Sequence, residues 1–328
     1  MRSTDVQLRP VLTRLCLGAA VLVLATSPLS GCGTRSRATS SDNPSRGAGT
    51  SALPGSGRPP ITIGDKNFTE QFLLGQLYKQ ALLAQGFAVS LNPNIGPTEV
   101  TVRALLSGRL AMYPEYLNTW NSSIAGVRRR FASEQAAYQA AQRYASAQGF
   151  KLLSATPFSN TSAIAMKATY ATAHGLRSLE DLAGVASMLS LGAPPQFQHS
   201  ARGLPALERA YGFMPGAFKA LDVGAQYEAL DQGVVQAADV NTTDGQLARP
   251  GYRLLGDPRH VFGWGNVVPV VSEKILAAEG PAFARTVNRV STLLSMHAIR
   301  MLNAAVDVLH QDPKVVAQEF LRAHGLVP

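Results

Sequence analysis

From Ile61 onward, short runs of β-branched and apolar residues alternate with longer segments of helical periodicity, and this alternation limits the possible folds most strongly. Residues 61–64 (ITIG) are followed by apolar residues at helical spacing from Phe68 to Leu82. Predicted strands and helices then alternate to about Val271, after which only helices are predicted. The pattern favours an α/β architecture with parallel sheets, because helices connect successive strands.

The N-terminal region carries the marks of an exported lipoprotein. Arginines precede an apolar stretch that is too short for a membrane span of roughly 20 residues, and the stretch ends in LSGC at residues 29–32. This ending is typical of a bacterial lipobox, so residues 1–31 are predicted to be a signal peptide and Cys32 to carry a lipid. The alternative is an ordinary signal peptide with a chance cysteine. Residues 32–60 are small and polar, and we expect a flexible tether there.

Cysteine content and charge limit the classes of protein. Because Cys16 lies in the signal peptide and Cys32 is the lipid site, the mature chain can form no internal disulfide. The formal net charge is +9, and the best basic patch is the run Arg128-Arg129-Arg130. An exported lipoprotein does not routinely meet nucleic acid, so we expect a solvated face or attraction to anionic lipid and no nucleic-acid binding.

Motifs of enzymes and metal centres are missing from the sequence. It has no Gly-x-Ser-x-Gly elbow, no His-Glu-x-x-His motif and no phosphate-binding loop, and its histidines are scattered. We therefore predict no catalytic residues, no metal site and no cofactor.

Polar segments occur at three points where a predicted strand gives way to a helix. They are residues 66–69 (KNFT), 96–99 (GPTE) and 113–116 (YPEY). In open α/β sheets, ligands bind beyond the carboxyl ends of the strands, next to the free N–H groups of helix N-termini. Each segment alone also fits a turn or a helix start, and Asn67 with Glu70 matches a capping box.

Together with two further motifs, these segments resemble a known family. The motifs are residues 65–71 (DKNFTEQ), 96–99 (GPTE), 113–116 (YPEY), 227–230 (YEAL) and 242–245 (TTDG), in family order. The chain is similar, over about Ile61 to Pro328, to the substrate-binding proteins of osmoprotectant ABC importers. Those proteins capture glycine betaine, choline or proline betaine.

The resemblance implies a type II periplasmic-binding-protein fold, in which two α/β lobes joined by two crossover segments close over a ligand by a hinge motion. Lobe one would comprise residues 61–157 plus 260–328, and lobe two residues 158–259. The implied protein is an extracytoplasmic, lipid-anchored, monomeric solute receptor without enzymatic activity. Its partners would be a small osmolyte, an ABC permease with its ATPase, and the membrane through the lipid anchor. A ligand-sensing lipoprotein of the same fold is the alternative.

The resemblance also implies which residues form the pocket. A quaternary ammonium is held by aromatic faces, each worth roughly 0.5–2 kcal/mol, whereas a ligand carboxylate needs Lys, Arg or backbone N–H groups. The expected ligand-binding residues are Lys66, Asn67, Phe68, Thr69, Thr98, Tyr113, Glu115, Tyr116, Trp120, Phe197, Tyr227, Asn241, Asp244 and Trp264.

Several pocket positions depart from the family pattern, which has Asp, Tyr, Arg and Tyr at the sites of Ala111, Asn241, Ser200 and Gly265 respectively. Two hypotheses remain open. In the first, the aromatic cage is rebuilt with Trp120 and Trp264 and still takes a quaternary amine. In the second, the ligand is a more polar or larger solute, because Asn241 adds hydrogen bonding where a ring is lost.

Overall fold

The computed structural model describes residues 52–328. The predictions for the signal peptide, for Cys32 and for the tether up to residue 51 lie outside the described residues. Residues 53–58, at the end of the expected tether, contact the body. The Gly55 N–H donates to the Gln85 carbonyl at 2.9 Å, and Arg58 Nη1 donates to the Ala278 carbonyl at 2.8 Å. This part of the expected tether is therefore held on the surface of the body.

Within residues 52–328, ten strands form two five-stranded sheets. The strands are β1 (Ile61–Gly64), β2 (Val89–Asn92), β3 (Met112–Tyr116), β4 (Phe150–Leu152), β5 (Ser162–Lys167), β6 (Ser190–Ala193), β7 (Ala217–Ala220), β8 (Ala237–Asn241), β9 (Tyr252–Leu254) and β10 (Val267–Ser272). The strand order is β2-β1-β3-β10-β4 in the first sheet and β7-β6-β8-β5-β9 in the second. The predicted α/β class is confirmed.

The prediction of parallel sheets holds for all but one strand of each sheet, because each sheet contains one reversed strand. Strand β10 pairs antiparallel with β3 and β4, and β5 pairs antiparallel with β8 and β9. The chain enters β5 and β10 on arriving from the other sheet. Successive strands of one sheet run parallel when a helix connects them. Because β5 and β10 are reached from the other sheet without such a helix, they are free to run in the opposite direction.

Helices cover both faces of the sheets. They are α1 (Thr69–Ala84), α2 (Thr98–Leu106), α3 (Leu117–Thr119), α4 (Glu134–Ala147), α5 (Ala168–Ala173), α6 (Leu204–Tyr211), α7 (Gln226–Asp231), α8 (Glu273–Glu279), α9 (Pro281–Leu293), α10 (Met296–Asn303) and α11 (Pro313–Ala323). Short 3₁₀ segments are Leu179–Met188, Pro195–Gln198 and Gly245–Ala248, and π turns are Trp120–Ile124 and Ala304–Val308. No helix among residues 52–328 is both long and apolar enough to cross a membrane.

The predicted capping box at the start of α1 is wrong. The N-cap is Phe68, which has an extended backbone, and the helix begins at Thr69. The buried face of α1 includes Leu73 and Leu77, which pack with α9 and α11 against the first sheet. Burying a leucine side chain contributes roughly 1.5–3 kcal/mol. The helix is therefore fixed by this packing, and Glu70 in its first turn is directed to other partners.

Two crossover segments connect the sheets and lie side by side. Residues 153–161 lead from β4 to β5, and residues 255–266 lead from β9 to β10. The Asn160 N–H donates to the Gly265 carbonyl at 3.0 Å, next to an antiparallel bridge between Ser159 and Asn266. The two segments therefore support each other, and a hinge between the sheets would run through this pair.

Candidate functional site

The predicted polar segments after β1 and before α2 meet the third segment at the carboxyl ends of β1 and β3. Lys66 Nζ lies 2.5 Å from Glu115 Oε1 and donates to Thr98 Oγ1 at 3.1 Å. Because β1 and β3 are neighbours in the sheet, Lys66 after β1 reaches Glu115 in β3, and Thr98 at the start of α2 closes the group. The structure thus brings together Lys66, Thr98 and Glu115, three of the expected ligand-binding residues.

Residues 113–116 (YPEY) form the strand itself and not a turn that follows it. A proline in an inner strand is unusual because it cannot donate to the ladder. Here β3 pairs with β1 only at Ile63 and Met112, so Pro114 lies beyond that contact. On its other side Pro114 faces Pro269 of β10. The end of β3 is therefore left free of β1 beside the Lys66 group.

Glu115 is fully buried and accepts three hydrogen bonds. Besides Lys66, its donors are the Tyr113 hydroxyl at 3.1 Å and the Tyr116 N–H at 2.7 Å. A buried carboxylate is tolerated when it is paired and hydrogen-bonded in this way. Burial and the Glu115 charge hold the pKa of Tyr113 well above its usual value, so its hydroxyl is a neutral donor.

Aromatic side chains lie beside this ion pair. Lys66 Nζ is 5.3 Å from the Tyr116 ring centroid, and the Phe68 ring stacks on Tyr116 at 6.0 Å with an interplanar angle of 28°. Tyr116 is buried, whereas Phe68 is 39% exposed, and its neighbours Asn67 and Thr69 are exposed and partly exposed. Phe68 is consequently the ring that a solute can reach from solvent.

A second group of predicted residues meets at the end of β8. Asp244 Oδ2 accepts from the Tyr227 hydroxyl and from the Asn241 N–H, both at 3.0 Å. Burial raises the pKa of Asp244 to about 6. Burial and the Asp244 carboxylate raise the pKa of Tyr227 well above its usual value. The Tyr227 ring itself packs edge-on against Tyr252 at 4.9 Å.

Several of the expected pocket rings pack within the protein. Trp120 is 2% exposed in the core beside the first sheet, and its Nε1 donates to the Ala141 carbonyl at 3.2 Å. Tyr113 belongs to the same cluster and is fully buried. Phe197 lies in a core cluster of the second sheet. These rings stabilise the fold in this structure and do not present a face to a solute.

Trp264 and Arg202 make hydrogen bonds to residues 122–131, which lie between β3 and β4 of the first sheet. Trp264 lies in the second crossover segment, and its Nε1 donates to the Phe131 carbonyl at 3.1 Å. Arg202 Nη1 donates to Ser122 Oγ at 2.5 Å, from the loop before α6 to the π turn after α3. Ser200, the position at which the resemblance implies an arginine, is exposed. Arg202 lies two residues further on and was not among the predicted site residues.

The sequence also missed Glu70 as a partner of the site. Its carboxylate accepts from the Tyr116 hydroxyl at 2.7 Å, from Asn160 Nδ2 at 3.0 Å and from Asn303 Nδ2 at 2.9 Å. These donors are far apart in the chain, so only the folded structure brings them together. Among residues 52–328, no cluster of three His, Cys, Asp or Glu side chains is arranged to hold a metal ion.

Comparison with known proteins gives consistent matches over this region. Residues 59–323 match the family described as the substrate binding domain of ABC-type glycine betaine transport systems. The glycine-betaine-binding protein of Pseudomonas aeruginosa is 31% identical over 278 residues, covering 81% of this chain and 88% of that protein. The glycine betaine-binding protein YehZ of Escherichia coli K12 is 32% identical over 288 residues, covering 84% of this chain and 93% of that protein.

A solved structure supports the same fold. Apo YehZ from Escherichia coli superposes with a TM-score of 0.71 at 31% identity, covering 82% of this chain and 99% of that chain. The predicted type II periplasmic-binding-protein fold is confirmed by this match together with the two sheets and their paired crossover segments.

Proposed function

Because this chain belongs to the family of substrate-binding domains of ABC-type glycine betaine transport systems, we propose that its solute is a zwitterionic quaternary amine, with glycine betaine as the first candidate. The family consists of extracytoplasmic solute-binding components of importers and not of enzymes. The protein accordingly binds a small molecule without altering it and delivers it for transport.

The observation that carries the proposal is the Lys66 ammonium at the carboxyl ends of β1 and β3. Two of its three N–H groups have partners within the described part of the chain, namely Glu115 and Thr98. The third can be donated to a ligand carboxylate, and charge-assisted bonds of this kind are among the stronger hydrogen bonds in proteins. Thr98 also begins α2, whose first backbone N–H groups favour an anion. A betaine carboxylate is complementary to this group.

The cationic end of such a solute requires aromatic faces and negative charge. Phe68 offers an exposed ring next to the Lys66 group, and Asp244 offers a carboxylate at the end of β8. We propose that residues 61–157 plus 260–328 and residues 158–259 are the two lobes, and that their closure brings these groups to opposite ends of one solute. Choline lacks the carboxylate, so it should bind more weakly than glycine betaine.

A larger or more polar solute remains the second candidate, and one observation favours it. Asn241 is exposed at the end of β8, where its amide is available for hydrogen bonds. The alternative of a cage rebuilt with tryptophan has less support, because Trp120 is buried in the core.

The anchor and the partners belong to the same proposal. Removal of residues 1–31 would leave Cys32 as the first residue, and its lipid would hold a monomeric receptor next to the permease and its ATPase. Replacing Cys32 with alanine should release the protein from the membrane fraction. If the protein stayed in that fraction, the anchor would be wrong. A ligand-sensing role would be indicated if deleting the permease left the response to the solute intact.

Calorimetric titration of the purified protein tests the solute class. We expect binding of glycine betaine, weaker binding of choline, and a tenfold or greater loss of glycine betaine affinity in Thr98→Val and Lys66→Met. Lys167→Met is the matched control, because Lys167 makes an exposed ion pair with Asp231 that is not part of the site. No binding of any quaternary amine, or equal binding by all variants, would overturn the proposal. Circular dichroism separates lost binding from lost folding.

A further inference from the structure

We propose that Glu70 is a positioning residue that couples the ligand site to the contact between the two lobes, and that it thereby sets the angle at which the lobes close. The inference rests on the proposed function only in that closure serves solute capture. Its structural part concerns how the lobes are held together.

The first argument is the position of the Glu70 carboxylate. Glu70 is 4% exposed, and its carboxylate accepts hydrogen bonds from three separate parts of the fold. Tyr116 belongs to the ligand site, Asn160 to the first crossover segment, and Asn303 ends α10. Within residues 52–328, no cation lies within ion-pair distance of Glu70. The buried charge therefore depends on these three donors.

The second argument is that Asn303 is bonded to both lobes. Its Nδ2 donates to Glu70 and also to the Thr243 carbonyl at 2.8 Å, in the segment after β8. One turn earlier in α10, Arg300 Nε donates to the Thr242 carbonyl at 2.8 Å. We call this contact of residues 242–245 with residues 300–304 the lobe joint.

The two sides of the lobe joint are anchored in different cores. Ile299 and Leu302 of α10 are buried in the cluster that packs on the first sheet. Leu247, in the 3₁₀ segment after Thr243, packs with the cluster of the second sheet. A change in the angle between the lobes must therefore change the geometry of the joint, because each side moves with its own core.

The third argument is how closely the two sides approach. A Cβ atom at Gly245 would lie 2.6 Å from the Ala304 Cα, so only glycine permits this distance. The lobe joint is thus a packed contact that links the lobes in addition to the two crossover segments and the Arg202–Ser122 hydrogen bond. Such a packed contact cannot deform continuously, so a shift of the lobes must break or re-form it.

These contacts give a physical route between the joint and the site. When the Thr243 carbonyl moves, the Asn303 amide must follow it or lose one of its two acceptors. Either change alters the hydrogen bonds at Glu70 and hence the support of the Tyr116 hydroxyl. The Tyr116 ring contacts Lys66 and Phe68, so a solute bound there favours one joint geometry over the other. By linkage, the joint geometry must equally change solute affinity.

Glu70→Gln tests the coupling with little change in volume. Glutamine replaces one acceptor oxygen with an NH₂ group, so it cannot accept all three hydrogen bonds. We expect its glycine betaine dissociation constant to rise at least tenfold. In small-angle X-ray scattering, we expect a larger radius of gyration without ligand and a smaller decrease on ligand addition than in the wild type. Glu208→Gln, the same change at an exposed position of α6, is the matched control.

Gly245→Ala perturbs the joint from the other lobe without touching Glu70 or the Lys66 group. We expect a changed radius of gyration and a changed affinity here as well, while circular dichroism and melting temperature verify folding. The proposal is overturned if both variants keep wild-type affinity and scattering, or if Glu70→Gln only lowers the melting temperature. If the wild type binds no quaternary amine, the proposed solute is wrong. The ligand-free proteins then still test the joint: a changed radius of gyration in the variants supports a role of Glu70 in setting the lobe angle, and an unchanged one excludes it.

Discussion

Asp65 is a buried carboxylate that the folded protein satisfies only in part. It is 0% exposed; its Oδ1 accepts the Asn94 N–H at 2.5 Å, and its Oδ2 has no hydrogen-bond partner within residues 52–328. Burial raises the pKa of Asp65 from its usual value of 3.8 to about 7, against the opposing effect of the Asn94 hydrogen bond. We therefore predict that Asp65→Asn stabilises the protein at alkaline pH.

The sign and size follow from the two pKa values. Below about pH 4 the group is protonated in both states and costs nothing. Between about pH 4 and 7 the unfolded chain loses the proton first, so the free energy of unfolding falls as the pH rises. At about 1.36 kcal/mol per pH unit, the full cost reaches about 4 kcal/mol above pH 7. Because local relaxation lessens the cost, we expect Asp65→Asn to gain about 2 kcal/mol at pH 8.

Urea denaturation of both proteins at pH 8, 6 and 4 measures this difference. The gain should be largest at pH 8 and should vanish near pH 4. Asp181→Asn is a control of opposite sign, because backbone N–H groups of Arg177 and Ser178 lower the pKa of Asp181. That variant should lose stability at pH 8, and the loss should shrink as the pH falls. An Asp65→Asn protein less stable than the wild type at pH 8 would refute the reasoning.

Three further predictions concern the core, the crossover segments and the site. Leu77→Ala should lower the free energy of unfolding by about 2–5 kcal/mol in urea titrations, because Leu77 is fully buried; a loss below about 1 kcal/mol would contradict this packing. Gly265→Ala should lower the melting temperature, because its Cβ would collide with the Asn160 carbonyl between the crossover segments; an unchanged melting temperature would contradict that contact. Glycine betaine affinity should fall about tenfold from pH 8 to 5 in calorimetric titrations, because the pKa of Asp244 is about 6 and its carboxylate is proposed to bind the cation; Asp244→Asn should remove this dependence, and a dependence that persisted would assign it to another group.

Much of the fold could be predicted because its signals are local. Helical periodicity after residue 68 and β-branched residues at 61–63 identify α1 and β1, and the helical C-terminal region follows from the same periodicity. Strand β10 is rich in valine, but Pro269 within it is a residue that local patterns do not place in an inner strand. The structure accommodates that proline opposite Pro114, where both residues lack an N–H. Such a compensation joins residues far apart in the chain, so no local pattern reveals it.

The sequence indicates which of the expected side chains meet better than it indicates which of them are exposed. Lys66, Thr98 and Glu115 meet as expected, because their segments end neighbouring strands or begin the next helix. Tyr113 and Trp120 carry the expected rings but lie in the core. A motif identifies candidate side chains near a site, whereas the burial of each side chain depends on which other elements of the fold pack over it.

The missing aspartate at position 111 does not by itself require a different kind of solute. Ala111 is 7% exposed at the start of the Met112–Tyr116 strand, next to an ion pair, Lys66 with Glu115, that is neutral overall. Beyond the end of β8, Asp244 has a carboxylate in the proposed lobe two, and with a pKa of about 6 it is mostly ionised at neutral pH. Attraction between unit charges falls with distance, so what matters is where this charge lies when the lobes close. If closure brings Asp244 to the solute, a carboxylate from lobe two performs the part that the family assigns to lobe one, and the affinity for a quaternary amine then depends directly on the lobe angle that Glu70 is proposed to set.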